Sequence, residues 1–343
     1  MAANGIEGVE DKHAWERPGA HEVGPGVHRI PLPLPNDGLR AVNVYAVSDG
    51  DGLVMIDGGW AMADATQHLE RALAEIGRRL ADVREFLVTH LHRDHYTQAI
   101  AVRRITRSGV AVGAGERASL EAIRTQTAYP DANRLRQAGA AGIAELTAEW
   151  GHHRDLTDWE HPDRWLADGV DIALDTRTLR VIATPGHTRG HVVFHDRAAD
   201  VLFAGDHVLP HITPSIGVEL MRPKSPLRDY LASLQLIRRM PDARLLPAHG
   251  PVARSTHHRI EELLEHHEQR LTETAEAVAA GASTGFEVAH RLGWTRHLRR
   301  LEDLDLFNKV LAINETMAHL EVLVERGWMV RTSEDGVVVF RVA

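Results

Sequence analysis

The densest chemistry in this chain lies in Thr89-His90-Leu91-His92-Arg93-Asp94-His95, where four side chains able to ligate a metal fall within six residues. The apolar run Phe86-Leu87-Val88 ahead of them reads as a buried strand, so the donors sit where that strand ends. On extended backbone His90 and His92 point to the same side, alternating with Leu91 and Arg93. Asp94 and His95 follow at the next turn and face a second position nearby, so one short segment can serve two adjacent cations. Imidazole and carboxylate donors without thiolate suit zinc, and they also admit manganese or iron. Two such cations can share a hydroxide, which makes a nucleophile available near neutral pH.

Further donors recur along the chain in the same setting. Leu179-Arg180-Val181-Ile182-Ala183 leads into Thr184-Pro185-Gly186-His187-Thr188-Arg189-Gly190-His191. Val201-Leu202-Phe203-Ala204 leads into Gly205-Asp206-His207, and Leu245-Leu246-Pro247-Ala248 leads into His249-Gly250. Each is a short apolar strand ending in a ligand-type residue, with a glycine close by that allows tight backbone. Four strand ends of this kind are expected to converge on one place.

Together these motifs resemble the metallo-β-lactamase-fold hydrolases, in the branch of glyoxalase II, lactonases and ribonucleases. The resemblance spans residues 24 to about 255 and rests on the H-x-H-x-D-H, T-P-G-H-T-x-G-H, G-D and A-H-G elements. It implies an α/β fold, a four-layer αββα sandwich of two mixed sheets with the site at one edge. It also implies a dinuclear centre: His90, His92 and His187 on one metal, Asp94, His95 and His249 on the other, and Asp206 bridging. Asp94 and Asp206 are the expected catalytic carboxylates, and zinc is the expected metal, with manganese or iron admitted. Asp57, in Met55-Ile56-Asp57-Gly58-Gly59, matches an early strand-end aspartate that buttresses a ligand histidine. Two departures narrow the branch. The chain has no cysteine, which excludes β-lactamases with a cysteine ligand, and no basic residues matching those that recognise glutathione are found near its C-terminus.

The chemistry implied is hydrolysis of an ester, thioester or lactone by a metal-bound hydroxide, which needs no Ser-His-Asp triad. A metal-dependent ribonuclease is the alternative, and a non-hydrolytic iron-dependent oxygenase or a binding protein on the same fold is another. The fold alone does not choose among them, because function lives in the site.

At 343 residues the chain is long enough for two domains, and its 43% hydrophobic and 25% charged content is that of a globular protein. A net charge of −9 gives no attraction for nucleic acid or an anionic membrane. No apolar run approaches the ~18 residues of a membrane span, and the first residues show no signal-peptide pattern. The expectation is a cytoplasmic enzyme acting on a small-molecule substrate, with no membrane partner.

Residues 1–23 read as a tail or edge segment. Strands and turns follow to Gly59, including the turn signal Ser48-Asp49-Gly50-Asp51-Gly52, and then a helix from Ala63 to Arg79. Residues 115 to about 168 form a helix-prone insertion carrying Tyr129, Trp150, Trp159 and Trp165. It is expected either to pack on the outside or to cap the site with an aromatic pocket. His152 and His153 read as surface residues of that insertion, and the Pro-broken segment Leu209 to Pro223 as a second wall. Residues 256–343 form a smaller helical module. Ile260, Leu263, Leu264, Leu271, Ala275 and Val278 stripe one helix, whose His257, His258, His266 and His267 read as solvated. Val310, Ile313, Met317, Leu320 and Val324 stripe another, and a hairpin turns at Asp335-Gly336. Helices followed by a hairpin resemble a winged helix. Residues 251–343, however, hold 11 basic against 15 acidic side chains, so packing or self-association as a homo-oligomer is expected in place of nucleic-acid binding.

Overall fold

The computed structural model describes residues 13–35, 38–125, 131–147, 150, 155–295 and 297–343. Tyr129, His152, His153 and Arg296 lie outside them.

Two mixed sheets lie at the centre. The first runs, in spatial order, β1 (His21–Gly24), β2 (Val27–Pro33), β3 (Ala41–Asp49), β4 (Gly52–Ile56), β5 (Val83–Val88), β6 (Gly109–Gly113) and β7 (Arg164–Leu166). Its first four strands pair antiparallel, and β4 to β7 pair parallel. The second sheet holds β8 (Asp171–Ala173), β9 (Thr178–Ala183), β10 (Val192–Asp196), β11 (Val201–Gly205) and β12 (Arg244–Pro247), antiparallel except for the parallel β11–β12 pair.

Strand alternation divides the core into layers. On β3, Tyr45 and Val47 face the second sheet, where Leu179, Val181, Phe194 and Phe203 meet them. Val42, Val44 and Ala46 face the other way, toward α1 (Ala63–Glu75), α2 (Arg93–Thr106) and α3 (Arg117–Thr125). The outer face of the second sheet, with Ile182, Val193, Leu202 and Leu245, is covered by α6 (Pro226–Arg238) and by α7 (Thr256–Ala279), α8 (Gly285–Arg291) and α9 (Leu306–Glu325). Two short helices of the insertion, α4 (Asp131–Gln137) and α5 (Ala141–Leu146), join that same core through Leu135, Ala138 and Ala144. The result is the expected αββα order.

Several expectations shift in detail. The tail gives up His21–Gly24, which pair with β2 as the sheet's edge strand because Val23 has a core to enter. The helix from Ala63 stops at Glu75, not Arg79. Ile76 caps it, and Gly77 turns the chain at φ +70°. His267 is fully buried, with its Nδ1 3.2 Å from Nε2 of His319, so it is not a solvated residue. The C-terminal stripes are spent within the chain: Ile260, Leu263, Val310, Ile313 and Leu320 all enter the core beneath the second sheet. The hairpin of β13 (Met329–Glu334) and β14 (Val337–Val342) turns at Asp335 and Gly336, both at positive φ, as a two-residue hairpin with right-handed twist requires.

Among the described residues, the tryptophans of the insertion pack into the body of the protein. Trp159 is buried against Tyr96 of α2, with ring centroids 6.0 Å apart, and Trp165 lies on β7 under the guanidinium of Arg117. Trp150 packs against Phe307 of α9. Trp159 and Trp150 thus find aromatic neighbours outside the insertion, and Trp165 is partly buried against the core on the first sheet. No helix among the described residues is long and apolar enough to cross a membrane.

Candidate metal centre

Strand ends from both sheets come together. β5 delivers Thr89 and His90, and His92 is the extended residue that caps α2. Asp94 and His95 are therefore in the first turn of a helix. The loop after β9 carries His187, the end of β11 carries Asp206, and the end of β12 carries His249. Backbone hydrogen bonds lock these ends: Val192 N–H to Thr89 O at 2.9 Å, and Ala248 N–H to Gly205 O at 3.1 Å. Gly205 sits at φ +51°, and a Cβ there would lie 2.6 Å from Thr89 Oγ1, so only glycine lets the strand close on its neighbour.

Two groups of donors result, and in each the ligand atoms lie within 4.8 Å of one another: His90, His92, His187 and Asp206 in one, Asp94, His95 and His249 in the other. Asp206 stands between them. Its Oδ2 is 3.4 Å from His187 Nε2 and 4.0 Å from His90 Nε2. Its Oδ1 is 3.6 Å from His95 Nε2 and 3.4 Å from His249 Nε2. Asp94 Oδ2 completes the second group, 3.6 Å from His95 Nε2 and 3.4 Å from His249 Nε2. His92 turns its Nδ1 inward, 3.0 Å from His187 Nε2. All seven expected donors come together.

The outer nitrogens are held from behind. His187 Nδ1–H donates to the Ser215 carbonyl, and His249 Nδ1–H to the Ala41 carbonyl, both at 2.8 Å. His95 Nδ1–H donates to Asp57 Oδ2 at 2.9 Å. Asp57 is buried at φ +59°, and its Oδ1 also accepts the Thr89 N–H at 2.7 Å. One carboxylate thus fixes both a ligand histidine and the start of the ligand segment. Such bonds leave the inner Nε2 atoms as lone-pair donors.

Burial shapes the charge of the cluster. It lowers the imidazole of His90 well below its usual range, that of His92 to about 3 and that of His187 to about 4, so these three are neutral and ready to donate. Burial also opposes charge on His95, yet Asp94, Asp57 and Asp206 together push it up to about 10, so these carboxylates favour positive charge at its inner nitrogen, where a cation would take the place of a proton. For Asp94 burial acts upward, and the nearby His95 and His249 outweigh it and hold the carboxyl low. His90 Nε2, His95 Nε2, His249 Nε2 and Asp206 Oδ1 are buried with no hydrogen-bond partner. Orphaned buried atoms on converging donors are what a cation would satisfy. The donor set fits.

With this geometry in view, the matches to known proteins become informative. A family model described as the metallo-beta-lactamase superfamily matches residues 37–249. The chain belongs to that superfamily. A beta-lactamase domain protein from Burkholderia ambifaria, solved as a crystal structure, is 28% identical to it, with 94% of this chain and 95% of that one covered at a TM-score of 0.75. The probable metallo-hydrolase YqjP of Bacillus subtilis is 25% identical over 86% of this chain and 90% of its own length. The atrochrysone carboxyl ACP thioesterase of Aspergillus fumigatus is 25% identical over 68% of this chain, which spans 58% of that protein.

Several contributors escape sequence reasoning. His191, the last residue of the T-P-G-H-T-R-G-H motif, stacks on His90 and accepts the Asp206 N–H at Nε2 (3.2 Å), while its Nδ1–H donates to Thr184 Oγ1 (2.9 Å). The motif could have pointed to it. Ser215, Glu116 and Glu219 carry no such signal. The loop from Leu209 to Pro223 holds His187 through Ser215 and is itself pinned by Arg259 and Arg134. A G-x-S-x-G string does occur at Gly281-Ala282-Ser283-Thr284-Gly285. It joins two helices, and Ser283 Oγ is bonded to Glu287, so it is no strand-to-helix nucleophile elbow.

Proposed function

We propose that this member of the metallo-beta-lactamase superfamily is a dinuclear metal-dependent hydrolase of small carbonyl substrates, with esters, thioesters and lactones as the class. The observation that carries this is the split of Asp206: one oxygen faces His90 and His187, and the other faces His95 and His249. His90, His92 and His187 would hold one cation, and Asp94, His95 and His249 the other, with Asp206 shared. Two divalent cations, zinc first among them, supply Lewis acidity and lower the pKa of water.

The chain's own residues do the rest. The Asp57, Ser215 and Ala41 acceptors fix three imidazoles before substrate arrives, so no reorganisation of those ligands is needed. Asp94 and Asp206 present carboxylate oxygens that can accept a hydrogen bond from the attacking water and orient it. Arg93, between His92 and Asp94, lays its guanidinium over the Trp60 ring at 5.3 Å, giving a rim that is both apolar and cationic.

The choice of carbonyl substrates over a phosphodiester rests on charge. Net charge is −9, and on α9 the acidic Glu321 and Glu325 neutralise Arg222 and Arg228. That balance supplies no net attraction for a polynucleotide. The name of the Aspergillus relative adds weight to the thioester arm. Zinc-loaded protein assayed on acyl thioesters, aryl esters, lactones and single-stranded RNA tests the reading. Metal-dependent turnover confined to the carbonyl substrates is expected, and turnover confined to RNA would replace this function with a nuclease.

A further inference from the structure

Beside the metal centre lies a second cluster of acid groups that the proposed reaction does not use. Glu116 follows β6 at the start of the insertion and is fully buried, and Glu219 comes from the loop before α6 and is nearly so. Glu116 Oε1 accepts the hydroxyl of Thr188 and, over 3.5 Å, the N–H of Leu91. Leu91 lies between His90 and His92, and Thr188 follows His187. Glu219 works on the same loop. Its Oε2 accepts the Arg189 N–H at 2.8 Å, and its Oε1 accepts the hydroxyl of Ser119, on α3, at 2.5 Å. Arg134 of α4 donates to the carbonyls of Glu219 and Leu220 at 2.7 and 2.8 Å, which holds this acid in place from the insertion side.

The backbones meet as closely as the side chains. A Cβ on Gly190 would lie 2.1 Å from the Glu116 nitrogen and 2.6 Å from its Cγ, and a Cβ on Gly115 would lie 2.7 Å from Gly190 Cα. The turn Gly113–Glu116 is therefore pressed against the loop that carries His187. Glu116 Oε2 is buried with no hydrogen-bond partner. Burial, and then the charge of Glu219, raise the Glu116 carboxyl above the ordinary range; burial also raises Glu219. An apolar side chain of similar size would avoid leaving that oxygen unsatisfied. What only an acceptor can do here is receive Thr188 and Leu91.

We infer that Glu116, backed by Glu219, is a positioning residue for the metal centre: it ties the His90–His92 segment to the His187 loop and so sets how the first group of ligands closes. The inference rests on the dinuclear reading above. It gives the insertion a part in the site through its polar residues Glu116, Ser119 and Arg134.

The test uses full-length Glu116→Gln and Glu116→Met proteins, with zinc affinity measured by competition with a chromophoric chelator. The optical spectrum of the cobalt-loaded forms reports ligand geometry, and thermal melting of the metal-free forms reports stability. Glutamine keeps the acceptor oxygen, so zinc affinity and cobalt spectrum should stay near wild type. Methionine fills the space without accepting, so zinc affinity should fall ~10–100-fold, the range for outer partners of ligands. Its cobalt spectrum should change, while the metal-free melting temperature falls only modestly, because the Thr188 hydroxyl and the Leu91 N–H alone lose this acceptor. Wild-type affinity and spectrum in Glu116→Met would overturn the inference and leave the dinuclear reading intact. A wild-type protein that binds no zinc would overturn both. Should Glu116→Met fail to fold, Thr188→Val removes the donor from the other side; a similar loss of affinity supports the role, and unchanged affinity overturns it.

Discussion

Replacing Asp57 by Asn isolates one bond of the centre. Asp57 lies at φ +59°, a region asparagine tolerates better than most residues, so the backbone should survive the change. The side chain does not survive it chemically. Asp57 Oδ1 accepts the Thr89 N–H at 2.7 Å and Oδ2 accepts His95 Nδ1–H at 2.9 Å, so both oxygens face donors. An amide offers one oxygen and one NH2, and whichever way it turns, one donor meets another. If the amide nitrogen faces His95, the imidazole loses the acceptor that fixes its tautomer. If it faces Thr89, the turn that begins the ligand segment loosens. Loss of such an outer partner costs ~10–100-fold in metal affinity or activity, which is about 1.4–2.7 kcal/mol at 1.36 kcal/mol per decade. The assay is zinc competition on the refolded and native-purified variant, with circular dichroism to show that the fold is retained. A folded Asp57→Asn protein with wild-type zinc affinity would refute the reasoning.

Other changes should separate site from scaffold. Asp206→Asn should bind at most one tightly held equivalent and lose more than ~100-fold in turnover, since it removes a shared ligand where Asp57→Asn removes only an outer partner; two equivalents by elemental analysis would count against sharing. Trp159→Ala should lower stability by ~3–5 kcal/mol in a denaturant titration and leave the order of preference among thioesters, esters and lactones unchanged. A reordered preference would return this ring to the pocket. Deleting residues after 255 should leave an insoluble or unfolded chain, because Ile260, Leu263, Ile313 and Leu320 cover the second sheet. A soluble fragment melting like the whole chain would show that the module is dispensable.

How far the sequence could be read follows from where its information is local. The ligand strands were legible because an apolar run ending in a histidine or aspartate is a local pattern, and β5, β9, β11 and β12 end within one residue of the end of that run. The hairpin at Asp335-Gly336 was legible for the same reason. Asp57 needed the resemblance, since nothing in Met55–Gly59 shows that His95 will come to lie beside it. Glu116 and Glu219 were invisible, being single acids 103 positions apart whose relation exists only after β6 and the Pro214 loop reach the same edge. The tryptophans of the insertion left two readings open because aromatic content suggests a pocket as readily as a core, and the packing of Trp159 on Tyr96 and of Trp150 on Phe307 appears only in three dimensions. His267 misled in the opposite sense: a histidine on a polar-looking helix was buried by the arrival of His319 from α9.

The central claim is that Asp206 divides the donors into two cation sites, and anomalous diffraction from zinc-loaded crystals tests it most directly. Two peaks per chain are expected, one reached by His90, His92 and His187 and the other by Asp94, His95 and His249, with the Asp206 carboxylate between them. A single peak that leaves either group of donors empty, or one with Asp206 turned away from it, would contradict the account.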